Sequence, residues 1–126
     1  MRTLMATIDE MTGYQFEDYA ATLMKELGFR VLATPRARDG GADLVVSKAG
    51  YLAVLQVKRW SGQVDRSAVK EVLRARLRYG ARHAVVLTNS DFTRDTIELA
   101  DNRGVELWDR TVLQRLIEVA RSGNSA

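Results

Sequence analysis

A tight turn between two strand-like segments is the feature that most constrains how this chain can fold. Residues 42–47 and 51–58 are rich in Val, Leu and Ala, and only residues 48–50 separate them. This pattern predicts an antiparallel hairpin. Because side chains alternate between the two faces of a strand, Gln56 and Lys58 are expected to share one face of the second strand.

The ends of these two segments carry polar groups that suit a cation, a phosphate and a water molecule. Asp43 comes just after a double glycine, Gly40 and Gly41, where the backbone can approach a ligand closely. Mg²⁺ prefers oxygen ligands and keeps several waters, so one or two protein carboxylates suffice to bind it. Asp43 is the obvious ligand, and the side-chain oxygen of Gln56 can be a neutral second one.

Two further oxygen donors can join this set. The carbonyl of Val57 is expected near the same spot, and Glu17 can reach in from a predicted helix, directly or through water. Lys58 is a point charge with rotatable donors, so it can hold an attacking water or stabilise the charge that builds on a phosphate.

Hydrophobic spacing and capping residues predict alternating helices and strands along the rest of the chain. The helices are expected at 13–27, from Asp65 to about Tyr79, from Thr93 to about Arg103, and from Asp109 or Thr111 to the last few residues; the strands are expected at 29–34, 42–47, 51–58, 83–88 and 105–108. This order, α-β-β-β-α-β followed by α-β-α at the C-terminal end, predicts an α/β fold with a mixed central sheet flanked by helices.

Both ends of the chain and the second long helix carry further expectations. Residues 1–11 carry apolar side chains at helical spacing, yet they can equally form a loose N-terminal arm, and residues 122–126 are expected to be a flexible tail. The second long helix is expected to bury a face made of Val69, Val72, Leu73 and Leu77.

Composition bounds the classes of function. The chain has 126 residues, 46% hydrophobic and 28% charged, which predicts a single domain over residues 1–126. It has no cysteine, which excludes a disulfide framework, a thiolate zinc site and a cysteine nucleophile and is compatible with a cytoplasmic location. No apolar run approaches the roughly 20 residues of a membrane span, so no membrane partner is expected. The net charge of +3 fits a nucleic-acid partner without requiring one.

Several motifs, taken in order, resemble the catalytic domain of Mrr-type restriction endonucleases, which belong to the PD-(D/E)xK nuclease superfamily. They are Phe16-Glu17, Asp39-Gly40-Gly41-Ala42-Asp43, Gln56-Val57-Lys58-Arg59-Trp60, Val85-Val86-Leu87-Thr88, Phe92-Thr93 and Gly104-Val105-Glu106-Leu107-Trp108-Asp109. The likeness covers roughly residues 12–120. No single motif is highly specific, but their order and spacing together are.

The resemblance implies a restriction-endonuclease-like core and Mg²⁺-dependent cleavage of DNA, with Mn²⁺ able to substitute. It implies that Asp43 is a metal ligand, Gln56 the second motif residue, Lys58 the catalytic lysine and Glu17 the helix carboxylate. Gln56 departs from the acidic residue of the wider superfamily, although glutamine is the usual Mrr-type variant. The departure removes a negative charge, so metal binding is expected to depend on Asp43 and Glu17.

Contacts with DNA are expected from basic and aromatic residues around this site. Arg36 and Arg38 lie next to the predicted metal loop, and Arg59 and Trp60 follow the site strand directly, although Trp60 can equally pack under its loop. Lys70 belongs to a basic stripe on the second long helix, where a solvated helix face is the simpler interpretation. Asp39 is interpreted as a turn former.

The sequence is compatible with three functions. The first is a restriction-type DNA endonuclease that acts as a homodimer, since one such site cuts one strand at a time. Mrr-type enzymes commonly carry a separate DNA-recognition domain, for which this chain has no room. The chain therefore either stands alone or is the excised nuclease part of something larger, and a separate recognition domain or subunit is a possible partner. The second is a structure-selective nuclease such as a Holliday-junction resolvase. The third is a non-catalytic DNA-binding or assembly module that retains the nuclease fold.

Overall fold

A five-stranded mixed sheet forms the centre of the part of the chain that the computed structural model describes, residues 2–33 and 43–123. The strands stand side by side in chain order: β1 Arg30–Ala33, β2 Asp43–Lys48, β3 Tyr51–Lys58, β4 His83–Thr88 and β5 Val105–Trp108. The first three strands are antiparallel, and β3, β4 and β5 run parallel. The predicted α/β fold with a mixed central sheet is therefore confirmed.

Helices cover both faces of the sheet. They are α1 Leu4–Asp9, α2 Gly13–Glu26, α3 Ser67–Tyr79, α4 Arg94–Arg103 and α5 Arg110–Ser122. One core joins α1, α2 and α5 to the face that carries Leu55 and Val57, and a second core joins α3 and α4 to the face that carries Val54 and Val86. Among the described helices, none is long and apolar enough to cross a membrane.

Side-chain caps fix where several helices begin. Thr12 accepts a hydrogen bond from the Gln15 backbone N–H, and the Gln15 side chain accepts one from the Thr12 N–H, so the two residues form a capping box at the start of α2. Asp109, rather than Thr111, caps α5 by accepting from the Val112 N–H. Asp65 lies two residues before the start of α3 and still caps it, since its Oδ1 accepts from the Ser67 N–H at 2.9 Å.

The N-terminal residues take the helical alternative. Leu4–Asp9 is a helix capped by Thr3, and Ile8 is fully buried in the core. At the other end, Ser122 is the last residue of α5, and residues 124–126 of the expected tail lie outside the described residues.

The buried face of α3 differs from the predicted one. Ala68, Val69, Val72 and Ala75 are buried, whereas Leu77 is 81% exposed, so its assignment to the core was wrong. At about 100° per residue, Leu77 lies about 180° around the helix from Ala68. The small side chains at 68 and 75 face the sheet, and they turn Leu77 outward.

The parallel part of the sheet brings two strand ends to the same edge. Lys58, the last residue of β3, pairs with Thr88, the last residue of β4, and Asn89 follows directly. The carboxyl ends of parallel strands are the usual place for binding sites in α/β folds. The candidate site lies at this edge of the sheet.

Candidate active site

Gln56 and Lys58 lie on the face of β3 that α3 covers. They alternate with Leu55 and Val57, which belong to the core on the opposite face, so the predicted sharing of one face is confirmed. Gln56 is only 3% exposed, and the Lys58 side chain is about a quarter exposed. Both side chains are therefore held close to the protein and do not extend freely into solvent.

A carboxylate from α3 joins these two residues. Oε2 of Glu71 accepts a hydrogen bond from Nε2 of Gln56 at 3.1 Å and from Nζ of Lys58 at 3.1 Å, and its Oε1 lies 3.4 Å from Nζ. A single oxygen thus bridges the two β3 side chains. The side chain of Glu71 is 22% exposed, so this ion pair is partly shielded from water.

Sequence reasoning did not find Glu71. It is the only acidic residue of α3, which otherwise carries four basic ones. It also lies three residues after Ala68 and four before Ala75, both buried, which places it at the edge of the stripe that faces the sheet. A lone carboxylate beside the buried stripe of a basic helix is the signal that was available.

Asp43 occupies the position opposite Gln56. The two are direct partners in the antiparallel register of β2 and β3, as expected if they serve one site. The side chain of Asp43 and residues 34–42, which include Arg36, Arg38 and Asp39, lie outside what the structure describes. Their expected roles stay predictions.

Glu17 is buried on α2, which packs against the other face of the sheet from Gln56 and Lys58. Val57, whose carbonyl was expected near the metal, directs its side chain into the same core as α2. The described side-chain contacts thus unite Gln56, Lys58 and Glu71 and leave Glu17 in a different layer. Its expected role as a site carboxylate stays a prediction.

The donor set favours a hard cation over a soft one. Gln56 and the neighbouring Asp43 are oxygen-bearing residues, and the chain has no cysteine and one histidine. Over residues 2–33 and 43–123, no group of three or more acidic, histidine or cysteine side chains forms a ready-made metal cluster. These residues fit a cation such as Mg²⁺ that keeps much of its own water.

A polar cleft lies beside the site, at the ends of β3 and β4. It has a volume of about 320 Å³, and its walls come from the end of α1, the loops after β3 and after β4, and the start of α5. They comprise Asp9, Arg59, Trp60, Ser61, Asn89, Ser90, Asp91 and Arg110. Trp60 is 54% exposed, so the alternative that it packs under its loop is wrong.

One carboxylate organises the inner wall of this cleft. Oδ1 of Asp9 accepts from Nη1 of Arg110 at 2.8 Å and from Nδ2 of Asn89 at 3.0 Å, and Oδ1 of Asn89 accepts from the Trp60 backbone N–H at 2.8 Å. The hydrogen bond from Arg110, aided by that from Asn89, holds the pKa of Asp9 below its ordinary value. Arg59 faces inward, with Nη1 donating to the Asp9 carbonyl and Nε buried without a partner.

Trp60 also borders a smaller depression that ends on the site lysine. This depression has a volume of about 120 Å³ and is lined by Lys58, Trp60, Val64, Asp65, Ser67 and Ala68. Trp60 therefore lines both the polar cleft and the depression that reaches Lys58. Lys70 lies about one turn after Ser67 on α3, and it is exposed near Arg66 and Asp95.

Comparisons with known proteins agree with this architecture. A model of the restriction endonuclease family, that of the Mrr-type catalytic domain, matches residues 8–117, which is most of the chain. No curated protein sequence matches the chain.

Solved structures share the fold at low sequence identity. The DNA modification-dependent restriction endonuclease AspBHI has a TM-score of 0.70 at 18% identity, over 95% of this chain and 35% of its own. The MspJI restriction endonuclease, solved in complex with a 27-mer oligonucleotide, has a TM-score of 0.59 at 20% identity, over 98% of this chain and 32% of its own. A repair endonuclease from Pyrococcus abyssi has a TM-score of 0.57 at 20% identity, over 78% of this chain and 46% of its own. The chain thus spans less than half the length of each of these proteins.

Proposed function

Because this chain belongs to the restriction endonuclease family with Mrr-type catalytic domains, we propose that it is a Mg²⁺-dependent DNA endonuclease acting at the end of β3. The family is one of nucleases, so the enzyme class follows from membership. Beyond this class, we propose the identity of the metal, the substrate and the catalytic residues.

The observation that carries the proposal is the shared face of Gln56 and Lys58 beside the register position of Asp43. An ammonium, an amide and a carboxylate at one strand edge are what hydrolysis of a phosphodiester requires around a hard cation. Apolar cores lie on both faces of this sheet, so the strands that carry the three residues are rigidly supported.

Lys58 performs the step that most depends on a fixed charge. Its Nζ is held in place by Glu71 while still partly open to solvent, so it can approach a phosphate without a large rearrangement. There it orients the attacking water or stabilises the negative charge that builds on the phosphoryl oxygens. A lysine serves here as a point charge, with donors that rotate to follow the reacting atoms.

The cation would be held by Asp43 and the Gln56 side-chain oxygen, with the Val57 carbonyl and Glu17 as the further ligands expected from the sequence. When bound, Mg²⁺ polarises a phosphoryl oxygen and makes a bound water more acidic. Mn²⁺ takes similar oxygen ligands and would substitute for it. Asp43 and Gln56 would determine where the cation binds relative to Lys58.

DNA would cross the edge of the sheet with its scissile phosphate at Lys58. The exposed indole of Trp60 is next to Lys58 and offers a stacking surface for an unpaired or distorted base. Lys70 and the loop residues Arg36 and Arg38 are candidates for phosphate contacts, which position DNA without reading its sequence. Arg59 is the weaker candidate, since its guanidinium points towards α1.

Cleavage of both strands would need two copies of the site, so we propose that the active form is a homodimer. Target recognition would come from a separate domain or subunit, since the chain spans only part of the length of AspBHI and MspJI. Those two are named as restriction enzymes, and MspJI was solved with DNA, which supports a DNA substrate here.

Nicking of supercoiled plasmid tests the proposal directly. The purified chain should nick plasmid with Mg²⁺ or Mn²⁺ and not with EDTA, and Lys58→Ala should lower the rate by at least about 100-fold, as removal of one stabilising group commonly does. Lys25→Ala, an exposed lysine at the end of α2, is the matched control and should nick like wild type. Full activity in Lys58→Ala or in Asp43→Ala would refute the assignment of these residues.

A structure-selective nuclease is the second candidate, because the repair endonuclease from Pyrococcus abyssi shares the fold. Cleavage rates on a four-way junction and on linear duplex of the same sequence separate the two. Preference for the junction would favour this candidate. Metal-independent DNA binding without nicking of either substrate would favour the non-catalytic module.

A further inference from the structure

Glu71 is the one described carboxylate in direct contact with both site residues of β3. Its Oε2 accepts from Gln56 and from Lys58, each at 3.1 Å. The proposed function uses it only to hold Lys58 in place and gives no role to its contact with Gln56. Resting on that function, we propose that Glu71 is a positioning residue that turns the Gln56 amide so that its oxygen faces the metal position.

The chemistry of the two groups fixes the orientation of the Gln56 amide. A carboxylate only accepts hydrogen bonds, so the amide must present its NH₂ group to Glu71. The amide oxygen then points away from α3. Gln56 is directly opposite Asp43 in the register of β2 and β3, so the freed oxygen remains on the strand edge where the cation is proposed to bind.

Loss of Glu71 would remove this constraint. Gln56 is 3% exposed, so an amide N–H without a partner there is costly. The amide can then rotate by about 180° about its last bond, a torsion with a broad and roughly two-fold energy profile. In that orientation it would offer donors where a cation needs an acceptor, and cation binding would weaken.

Glu71 also fixes Lys58 against the same oxygen. The two contacts draw both β3 side chains towards α3, and the ion pair has side-chain exposures of only 26% and 22%. One carboxylate thereby sets the amide orientation and the position of the ammonium. Outer groups that orient metal ligands typically change metal affinity or activity by about 10–100-fold when removed.

Three variants test the role. Glu71→Ala removes the acceptor, Glu71→Gln keeps the shape without the charge, and Glu98→Gln, at an exposed glutamate of α4, is the matched control. We expect Glu71→Ala to weaken Mn²⁺ and Mg²⁺ binding by about 10–100-fold in calorimetry. Glu71→Gln should lose less, because its amide oxygen still accepts from Gln56, and the control should bind like wild type.

Two further readouts separate positioning from folding. The NH₂ signals of Gln56 in ¹⁵N NMR spectra should shift and exchange faster with solvent in Glu71→Ala than in the control. DNA binding in EDTA should stay within about two-fold of wild type, since no metal is involved. In nicking assays at saturating metal, kcat should fall while KM for plasmid stays unchanged, because Lys58 has lost its anchor.

The double variant Gln56→Glu with Glu71→Gln is the decisive rescue. It moves the carboxylate from the helix to the strand, and the amide now on α3 donates to it. Metal affinity should return to within a few-fold of wild type. The inference would be overturned if Glu71→Ala left the metal affinity and the Gln56 amide signals unchanged. It would also be overturned if Glu71→Ala weakened metal binding and DNA binding in EDTA by the same factor.

The outcomes also distinguish this inference from the function on which it rests. Metal binding that depends on Glu71, without nicking, would support the positioning role and contradict the nuclease. Nicking that survives unchanged in Glu71→Ala would support the nuclease and contradict the positioning role. A wild-type chain that binds neither metal would contradict both.

Discussion

Replacing Asp9 should loosen the wall of the polar cleft by a predictable amount. Its carboxylate accepts from Arg110 and from the buried side chain of Asn89, and Asn89 in turn holds the Trp60 backbone. The first helix is thereby tied to the strand ends beside Lys58. Asp9→Ala removes both bonds, whereas Asp9→Asn keeps an oxygen in place and removes the charge.

The two substitutions differ in what they leave behind. After Asp9→Ala, the Nδ2 group of Asn89, which is 3% exposed, loses its acceptor, and a buried donor without a partner costs about 1–3 kcal/mol. The pair of Asp9 and Arg110 is about 40% exposed on each side, so solvent screening limits its own contribution to about 1 kcal/mol or less. We therefore expect a loss of about 1–4 kcal/mol for Asp9→Ala and about 1 kcal/mol or less for Asp9→Asn.

Thermal unfolding measures both values. For a domain of this size, 1 kcal/mol corresponds to roughly 3–5 °C in Tm, so Asp9→Ala should melt about 3–20 °C lower. Asp101→Ala, at an exposed aspartate of α4, is the control and should stay within about 0.5 kcal/mol of wild type. Equal Tm values for Asp9→Ala and Asp101→Ala would refute the reasoning.

The charge of Asp9 adds a pH signature. Since hydrogen bonding from Arg110 lowers the pKa of Asp9 in the folded state, its stabilisation is fully present above the ordinary aspartate pKa of about 3.9. It is lost as pH falls through the lower folded pKa. The stability difference between wild type and Asp9→Asn should thus be present at neutral pH and disappear in strong acid; a constant difference would contradict the assignment.

Three other perturbations are as specific. Ile8→Ala should cost about 2–5 kcal/mol in denaturant unfolding, because Ile8 is fully buried; a loss below about 1 kcal/mol would mean that α1 is a loose arm. Ala49→Gly should stabilise by about 0.5–1 kcal/mol, because Ala49 has a φ of 48° in the β2–β3 turn, and unchanged stability would contradict strain there. Burial, with help from Glu106, raises the pKa of Tyr51 to about 12, so absorbance titration should show a late phenolate that moves earlier in Glu106→Gln. The neutral phenol of Tyr51 thus stabilises the folded state below about pH 10, and this stabilisation is lost as the pH rises through about 12.

Local patterns predicted the elements of this fold because local physics determines them. The capping box at Thr12, the two-residue turn at 49–50 and the alternation of β3 all depend on neighbours within a few residues. The predicted burial of Leu77 failed for the opposite reason. Which side of α3 faces the sheet depends on how closely the helix packs against Val54 and Val86, and the small side chains of α3 decide this in the folded molecule.

The site follows the same division. Gln56 and Lys58 could be assigned to one face from alternation alone, and the register then places Gln56 opposite Asp43. Glu71 was not predicted because it is 13 residues beyond Lys58 in sequence, on a helix whose rotation about its own axis the sequence does not specify. Only the crossing of α3 over β3 turns a lone acidic residue on a basic helix into the partner of both site residues. Residues that act through others are therefore the hardest to predict, because their role depends on tertiary contacts rather than on a motif.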